Sequence, residues 1–305
     1  MNGLKILNGG LQSSIQDAGR IGVSDIGLTQ SGAMDELAFG YVQMLLGNAF
    51  NTATVEIALG GLSFEVKGKV CIALGGADMG CTINGKPVSM WETYNLIEGD
   101  TLSFGFASHG HFAYMGVVGG FQTPKSYGSF STSIKESLGG VEGRKLMAGD
   151  FLACKPSQLK DKRYLKKEFI PNYDEEVHLR LVLGYQEALF DEVQKETFFN
   201  TVYTYKGEGD RMGYRLSGEK VVPKVNGILS EAICYGAVQI PIHGEPIVLL
   251  KERQTIGGYP KIGSVICTDC FKLAQVKAGG KVRFRVISQE EAQAEAQAFY
   301  RFFRF

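Results

Sequence analysis

A mainly β protein, built as two barrel- or sandwich-like domains, is the fold class this sequence predicts. Three observations point there: short apolar runs at regular spacing, Asn-Gly dipeptides between such runs, and 40 glycines among 305 residues without a collagen period. That glycine share is close to twice the usual one and suits a chain of short strands and tight turns. Helical periodicity is confined to a few segments, which argues against a doubly wound sheet.

The strand readings fall at 70–74, 101–106, 178–183, 246–250 and 281–287. Asn84-Gly85 predicts a two-residue hairpin, and Asn226-Gly227 a second. The phrases Leu-Ile-Glu-Gly-Asp-Thr-Leu102, Leu-Met-Ala-Gly-Asp-Phe-Leu152 and Val-Lys-Ala-Gly-Gly-Lys-Val282 predict one strand-turn-strand element three times over. A helix is expected over 32–46, where Met34, Leu37, Ala38, Tyr41, Val42 and Leu45 recur at helical spacing. Ser31 is its expected cap, Asp35 and Glu36 suit its positive end, and Gly47-Asn48 stops it. Further helices are expected over 185–198 and from Ser288, where Ser-Gln-Glu-Glu291 has the form of a capping box. The lysine-rich stretch between Pro156 and Pro171 reads as a linker. It divides the chain into domains at 1–160 and 161–305, with segments free to exchange between the halves.

Lysine plus arginine balances aspartate plus glutamate at 32 each, so no field draws the chain to nucleic acid or an anionic membrane. The first residues carry no signal-peptide core, and no apolar run reaches the roughly 20 residues that span a bilayer. The expected address is therefore the cytoplasm. Six scattered cysteines, such as Cys71 and Cys234 within apolar runs, read as buried thiols and not as a disulfide framework.

Several familiar motifs fail on inspection. Gly80-Cys-Thr-Ile-Asn-Gly-Lys86 matches a phosphate-binding loop except that Pro87 stands where Ser or Thr must bind magnesium. No dinucleotide-binding glycine motif or nucleophile elbow occurs. Cys267-Thr-Asp-Cys270 and the His109/His111 pair lack further ligands, so no metal is expected.

The richest segment is 235–263, ending in Arg253-Gln-Thr-Ile-Gly-Gly-Tyr-Pro-Lys-Ile-Gly263. It sets Arg253, Gln254, Tyr259 and Lys261 around the Gly257-Gly258 pair, where backbone amides can approach a ligand closely. A glycine-rich barrel turn with a charged rim is the alternative reading of the same residues.

Taken with Ser14-Ile-Gln-Asp-Ala-Gly-Arg20, Ser31-Gly-Ala-Met-Asp35, Gly47-Asn48, Glu56, Gly128-Ser-Phe-Ser-Thr132, Gly139-Gly-Val-Glu-Gly-Arg144 and Arg211-Met-Gly-Tyr-Arg-Leu216, the order of motifs resembles one family over nearly the whole chain. This is the family of the bacterial 5-oxoprolinase C subunit, also described as KipA-like, allophanate hydrolase subunit 2-like or biotin-dependent carboxyltransferase. The resemblance implies two cyclophilin-like β-barrel domains. It implies a KipI-like partner (the B subunit of the oxoprolinase), a lactam-utilisation partner (its A subunit), and ATP-dependent opening of the 5-oxoproline lactam to glutamate. No ATP-binding motif is present, so ATP is a substrate of the complex and the chain alone is expected to be inactive. Two alternatives stay open. One is carboxyl transfer from carboxybiotin on a separate carrier, since no Ala-Met-Lys-Met segment occurs; the other is a regulator that binds a KipI-like kinase inhibitor.

Lactam opening needs donors for a developing oxyanion, a group that handles protons and a clamp for the substrate carboxylate. Catalytic expectations fall on Arg253, Tyr259, Lys261, Asp17 and Glu56. Substrate-binding expectations fall on Arg20, Asp35, Arg144, Arg211, Arg215, Gln254, Gly257 and Gly258, arginine being suited to a carboxylate by its planar fork. Structural readings stand beside these: Arg144 and Arg211 as loop pins, Asp35 as a helix-end charge, Glu56 as half of a buried pair. Phe130 and Ser133 replace the Arg and Asp usual in relatives, and Tyr185 replaces a Pro, which bears on the turn there. The aromatic tail 299–305 is read either as a partner dock or as packing on its own domain.

Overall fold

Alternation of apolar and polar residues gives the first strands their faces. In Leu62–Lys67 the residues Leu62, Phe64 and Val66 are wholly buried while those between them are half-buried, as a pleated strand covered on one side requires. The computed structural model describes residues 1–173 and 176–303. The chain divides into two units, one of Met1–Ile21 with Ser31–Tyr173, the other of Gly22–Gln30 with the chain from 176 to 303.

Unit one holds β1 (Gly3–Gly9), β2 (Gln12–Gln16), β3 (Thr54–Ala58), β4 (Leu62–Lys67), β5 (Val70–Asp78), β6 (Thr82–Ile83) and β7 (Lys86–Pro87). It continues with β8 (Thr93–Leu96), β9 (Thr101–Ser103), β10 (His109–Val117) and β11 (Phe151–Ala153). They form two sheets, in the orders β11-β1-β4-β9-β6-β7 and β2-β3-β10-β5-β8. Helix α1 (Glu36–Leu46) lies against β5 and β10. Its close approach depends on glycine: a methyl group on Gly75 would stand 2.8 Å from Val42 Cγ2, and one on Gly116 2.7 Å from Leu46 Cδ1.

The cap of α1 is Asp35, not Ser31. Asp35 Oδ1 accepts from the Leu37 and Ala38 amides, each at 3.0 Å. Ser31 lies ahead of α1 in a left-handed conformation (φ 53°), and its hydroxyl donates to Thr132 O at 2.8 Å. Gly47, with φ 70°, ends the helix. Asn84 and Gly85 both take positive φ between β6 and β7, the requirement of a two-residue hairpin.

Unit two holds β12 (Glu176–Leu183), β13 (Tyr203–Gly209), β14 (Gly213–Ser217), β15 (Glu231–Ala232), β16 (Ala237–Gln239), β17 (Ile247–Leu249), β18 (Ile256–Gly257), β19 (Lys261–Val265) and β20 (Lys281–Val286). Seven close into a barrel, β12-β19-β16-β17-β14-β13-β20, sealed by the parallel β12–β20 pair, while β15 and β18 make a separate ribbon. Around Asn226-Gly227 no hairpin forms. The neighbouring amides bond to distant segments instead, Lys224 to Leu189 O at 2.8 Å and Ile228 to Gly258 O at 2.8 Å. The helix expected over 185–198 is broken: a 3₁₀ turn at Glu187–Leu189 precedes α2 (Glu192–Asn200), capped by Asp191 Oδ1.

Helix α3 (Cys267–Ala274) starts at the Cys-Thr-Asp-Cys segment. Its wholly buried Asp269 accepts from Arg180 Nε and Nη2 at 2.9 Å each, and Arg180 Nη1 reaches Glu295 at 2.9 Å. This pin joins β12, α3 and α4 (Gln289–Phe303). Phe299 packs on Phe271 with centroids 5.1 Å apart, so this part of the tail covers its own unit; residues 304 and 305 lie outside the described residues. At the start of α4, Ser288 and Glu291 exchange both capping-box hydrogen bonds at 3.1 Å. Ser288→Ala is expected to cost about 1 kcal/mol, read as faster amide exchange in the first turn of α4 with the barrel unaffected. Among the described residues no helix is long and apolar enough to cross a membrane.

Candidate active site

Strand β19 begins at Lys261, which pairs with Gln239 of β16, while Gly263 and Ser264 pair with Leu183 and Val182 at the end of β12. The chain leaves β12 through Gly184, Tyr185 and Gln186, and this turn folds back over β19. The Lys261 amide donates to Gln186 Oε1 at 2.9 Å, and the Gly184 amide to Ile262 O at 3.1 Å. The β15–β18 ribbon brings Glu231 opposite Gly257. These segments wall a cavity of about 420 Å³ lined by Tyr185, Gln186, Glu231, Ile233, Cys234, Lys261 and Ser264 among others.

Glu231 is the hub. It pairs with Lys261 Nζ, accepts from the Tyr185 hydroxyl, and accepts from Gln186 Nε2 at 2.7 Å. Hydrogen bonds from Lys261 and then Tyr185 hold the Glu231 carboxyl below the usual carboxylate range. The same hydrogen bond to Glu231 raises the Tyr185 phenol. A cation, a carboxylate, a phenol and an amide thus meet at the wall of one cavity, able to bind a small polar ligand and to handle a proton.

Cys234, by sequence a buried thiol of an apolar strand, is exposed, with Sγ 3.0 Å from Ser264 Oγ. The segment turns here instead of continuing as strand, Ala237 N bonding back to Cys234 O at 3.3 Å, which leaves the thiol on the cavity wall.

Arg253 lies behind this wall. Its Nε donates to Ile233 O at 3.1 Å, its Nη1 reaches Gln30 Oε1 and Leu250 O at 3.4 Å each, and its guanidinium stacks 5.8 Å over Tyr235. Lys251 Nζ approaches the same ring at 4.5 Å. Burial lowers the Arg253 pKa, and among the described residues no ion pair joins it to a carboxylate. Glu252, the residue before it, is paired with Arg211 Nε at 2.6 Å. Gln254 is exposed, as is Tyr259. Gly258 O accepts from Ile228 N at 2.8 Å. Arg215 is on β14, loosely opposite Glu208 and Glu245 at 4.0 and 3.9 Å.

The remaining sequence-predicted residues lie in unit one, in networks of their own. Asp17, wholly buried, accepts from Gly19 N, Ser129 Oγ and Ser131 Oγ on Oδ1 and from Phe130 N on Oδ2, at 2.5 to 2.8 Å. Arg20 donates to Ser131 O beside it. Glu56 Oε2 accepts from Met34 N and Tyr114 Oη, both at 2.8 Å, while Tyr114 Oη accepts from Asp35 N and Asp35 Oδ2 accepts from Tyr173 Oη. Arg144 grips Asp150 with both terminal nitrogens at 2.8 and 2.9 Å. Phe130 lies under the Lys125 ammonium at 5.0 Å, and Ser133 bridges to Leu138.

Of the residues that line this cavity only Lys261 belongs to the sequence-predicted site; Glu231, Tyr185 and Gln186, which bond with it and with one another, do not. Tyr185, where the family resemblance leads one to expect Pro, is the one available signal, and by sequence it bears only on a turn. Among the described residues no cluster of three or more His, Cys, Asp or Glu is placed to hold a metal ion.

Known proteins share this architecture. Residues 26–286 match the family described as carboxyltransferase domain, subdomain A and B. The chain is 35% identical over 294 residues to the C subunit of 5-oxoprolinase from Haemophilus influenzae, covering 95% of this chain and 93% of that protein. It is 33% identical over 303 residues to the protein of the same name from Escherichia coli, covering 98% and 96%. The crystal structure of the K. lactis urea amidolyase superposes with a TM-score of 0.90 at 26% identity; the match covers 98% of this chain but 20% of that much longer one. On the extent of these matches, the chain belongs to the carboxyltransferase-domain family, subdomains A and B, together with the C subunits of 5-oxoprolinase.

Proposed function

We propose that this chain is a subunit of an ATP-dependent 5-oxoprolinase complex that opens the 5-oxoproline lactam to glutamate, and that the cavity of unit two is its part of the substrate site. The observation that carries this reading is the similarity, near full-length at 35% and 33% identity, to two proteins named as the C subunit of 5-oxoprolinase. The cavity supplies matching chemistry. Lys261 is a positive donor for a developing oxyanion, Glu231 fixes its position, and the Tyr185 phenol is poised for proton transfer. Arg253 is assigned a positioning role through the Ile233 carbonyl, with Gln254, Gly257, Gly258 and Tyr259 forming the adjoining rim. The hydrogen bonds of Asp17, Arg20, Asp35, Glu56 and Arg144 support holding roles in unit one, and the ion pairs of Arg211 and Arg215 support holding roles in unit two. A KipI-like B subunit and a lactam-utilisation A subunit complete the complex and carry the ATP chemistry, in the cytoplasm.

The test is glutamate release from 5-oxoproline and ATP by the co-expressed subunits, each omitted in turn. Loss of release when this chain is left out is the expected result; undiminished release without it would end the proposal. The likeness to urea amidolyase favours a second reading, carboxyl transfer from carboxybiotin on a separate carrier. Activity that requires a biotinylated carrier and bicarbonate would select it.

A further inference from the structure

Of the six cysteines, all free and all among the described residues, Cys234 alone is exposed; Cys267 is half-buried and the other four are buried. Burial pushes the Cys71 and Cys270 thiols up, the Cys154 thiol up to about 11 and the Cys81 thiol up to about 12, so these four keep their protons and are poor nucleophiles. Cys234 instead lines the cavity of unit two with Lys261 and Ser264. That grouping depends on an irregularity in β19: Val238 pairs with Gly263, but Gln239 pairs with Lys261 and not with Ile262. Lys261 and Ser264, three residues apart, would face opposite ways on a regular strand. The extra residue aims both at one wall, and Ser264 Oγ stands 3.0 Å from Cys234 Sγ.

Lys261 is 9% exposed. An ammonium carries three donors, and apart from Glu231 its Nζ has no acceptor among the described residues. Buried donors without acceptors forfeit their bonds to water, and these stand at a cavity wall where a ligand oxygen can meet them. Arg253 lies within electrostatic reach of the Cys234 sulfur. Two cations against the one carboxylate of Glu231 leave the surroundings of the thiol positive, which draws an anionic reagent to it. We infer that Cys234 is a reversible S-thiolation site, at which a low-molecular-weight disulfide bearing carboxylates leaves half of itself bonded to the sulfur with a carboxylate on Lys261 Nζ. The Cys234 thiol gives its proton to solvent, its sulfur attacks the reagent, the S–S bond of the reagent breaks as the new one forms, and the other half departs as a thiolate. Cys234 is oxidised and the departing half is reduced; excess thiol reverses the exchange. The bonded group fills the cavity of about 420 Å³. That it thereby stops turnover rests on the proposed reading of this cavity as a substrate site.

The experiment treats the full-length chain, and the assembled complex, with glutathione disulfide, and locates the adduct by peptide mass spectrometry. One glutathionyl group on Cys234, formed before any on another cysteine and removed by dithiothreitol, is the expected result. Cystamine has the same disulfide bond and the opposite charge. With each rate divided by that of mercaptoethanol and the same disulfide, Cys234 is expected to favour glutathione disulfide about fivefold or more, and Lys261→Met is expected to lose most of that preference. First modification at another cysteine, no adduct, or equal normalised rates with the two disulfides in the wild type overturns the inference. So does a preference that Lys261→Met leaves unchanged. In the complex, the adduct is expected to stop glutamate release until dithiothreitol restores it, and the complex with Cys234→Ser is expected to resist the disulfide. An adduct on Cys234 with undiminished release upholds the modification site and overturns the reading of this cavity as a substrate site. Release without any adduct overturns the inference and leaves the proposed function standing.

Discussion

Asp17→Ala is expected to destabilise unit one by roughly 3–5 kcal/mol, a large part of the total stability of a folded domain, which is on the order of 5–15 kcal/mol. The carboxylate is wholly buried and receives four donors from two stretches of chain far apart in sequence, residue 19 on one side and residues 129–131 on the other. Removing it leaves the buried Gly19 amide and the partly buried Phe130 amide without their acceptor, and an alanine methyl restores none of those bonds. The serine hydroxyls can rotate to other acceptors, which is why the expected cost is smaller than four lost hydrogen bonds. Asp17→Asn keeps one acceptor oxygen and is expected to lose less. Urea titration of both variants reads the difference. A midpoint for Asp17→Ala within error of wild type would show that this network does not hold the unit, and would return Asp17 to consideration as a group that acts on substrate.

That residue also shows where reading a sequence stops. Ser-Ile-Gln-Asp-Ala-Gly-Arg states that a carboxylate and a guanidinium stand close together in the chain, but not that serines from a distant segment, Ser129 and Ser131, surround Asp17. The local features were legible for the opposite reason. Gly99, Gly149 and Gly279 each take positive φ in the repeated turn, and Asn84-Gly85 and the Ser288–Glu291 box are complete within a few neighbouring residues. Helix α3 escaped because its cap, Ile266, makes no side-chain cap hydrogen bond, so the chain carries no start signal there. In the candidate site, the 253–261 loop announced itself through its glycines and charges. Glu231, Tyr185 and Gln186 did not, because only the β12–β19 pairing and the β15–β18 ribbon bring them to Lys261. Glu231 in isolation is one acid among many on a chain of balanced charge.

Lys261→Met is expected to lower glutamate release by the complex about 100-fold or more while the chain remains folded. The ammonium stands at a cavity wall and not in the barrel core, and methionine preserves the bulk of its stem. What is lost is the positive donor and the restraint on Glu231. In the wild type, Lys261 and then Tyr185 hold the Glu231 carboxyl below the usual range. A carboxyl whose folded pKa lies below its unfolded value, about 4.3, contributes stability above that value and loses it as pH falls through the folded pKa. The ion pair therefore persists through neutral and mildly acid solution. Without Lys261 the carboxyl keeps only the Tyr185 and Gln186 hydrogen bonds, so its pKa rises. The acid limb of the pH–rate profile of the residual activity should then move to higher pH, and Glu231→Gln, which has no proton to take up, should lack that limb. A Lys261→Met variant with diminished rate but an unmoved acid limb would mean that Glu231 ionisation does not govern turnover, and that Lys261 acts on the ligand without the carboxylate as its intermediary.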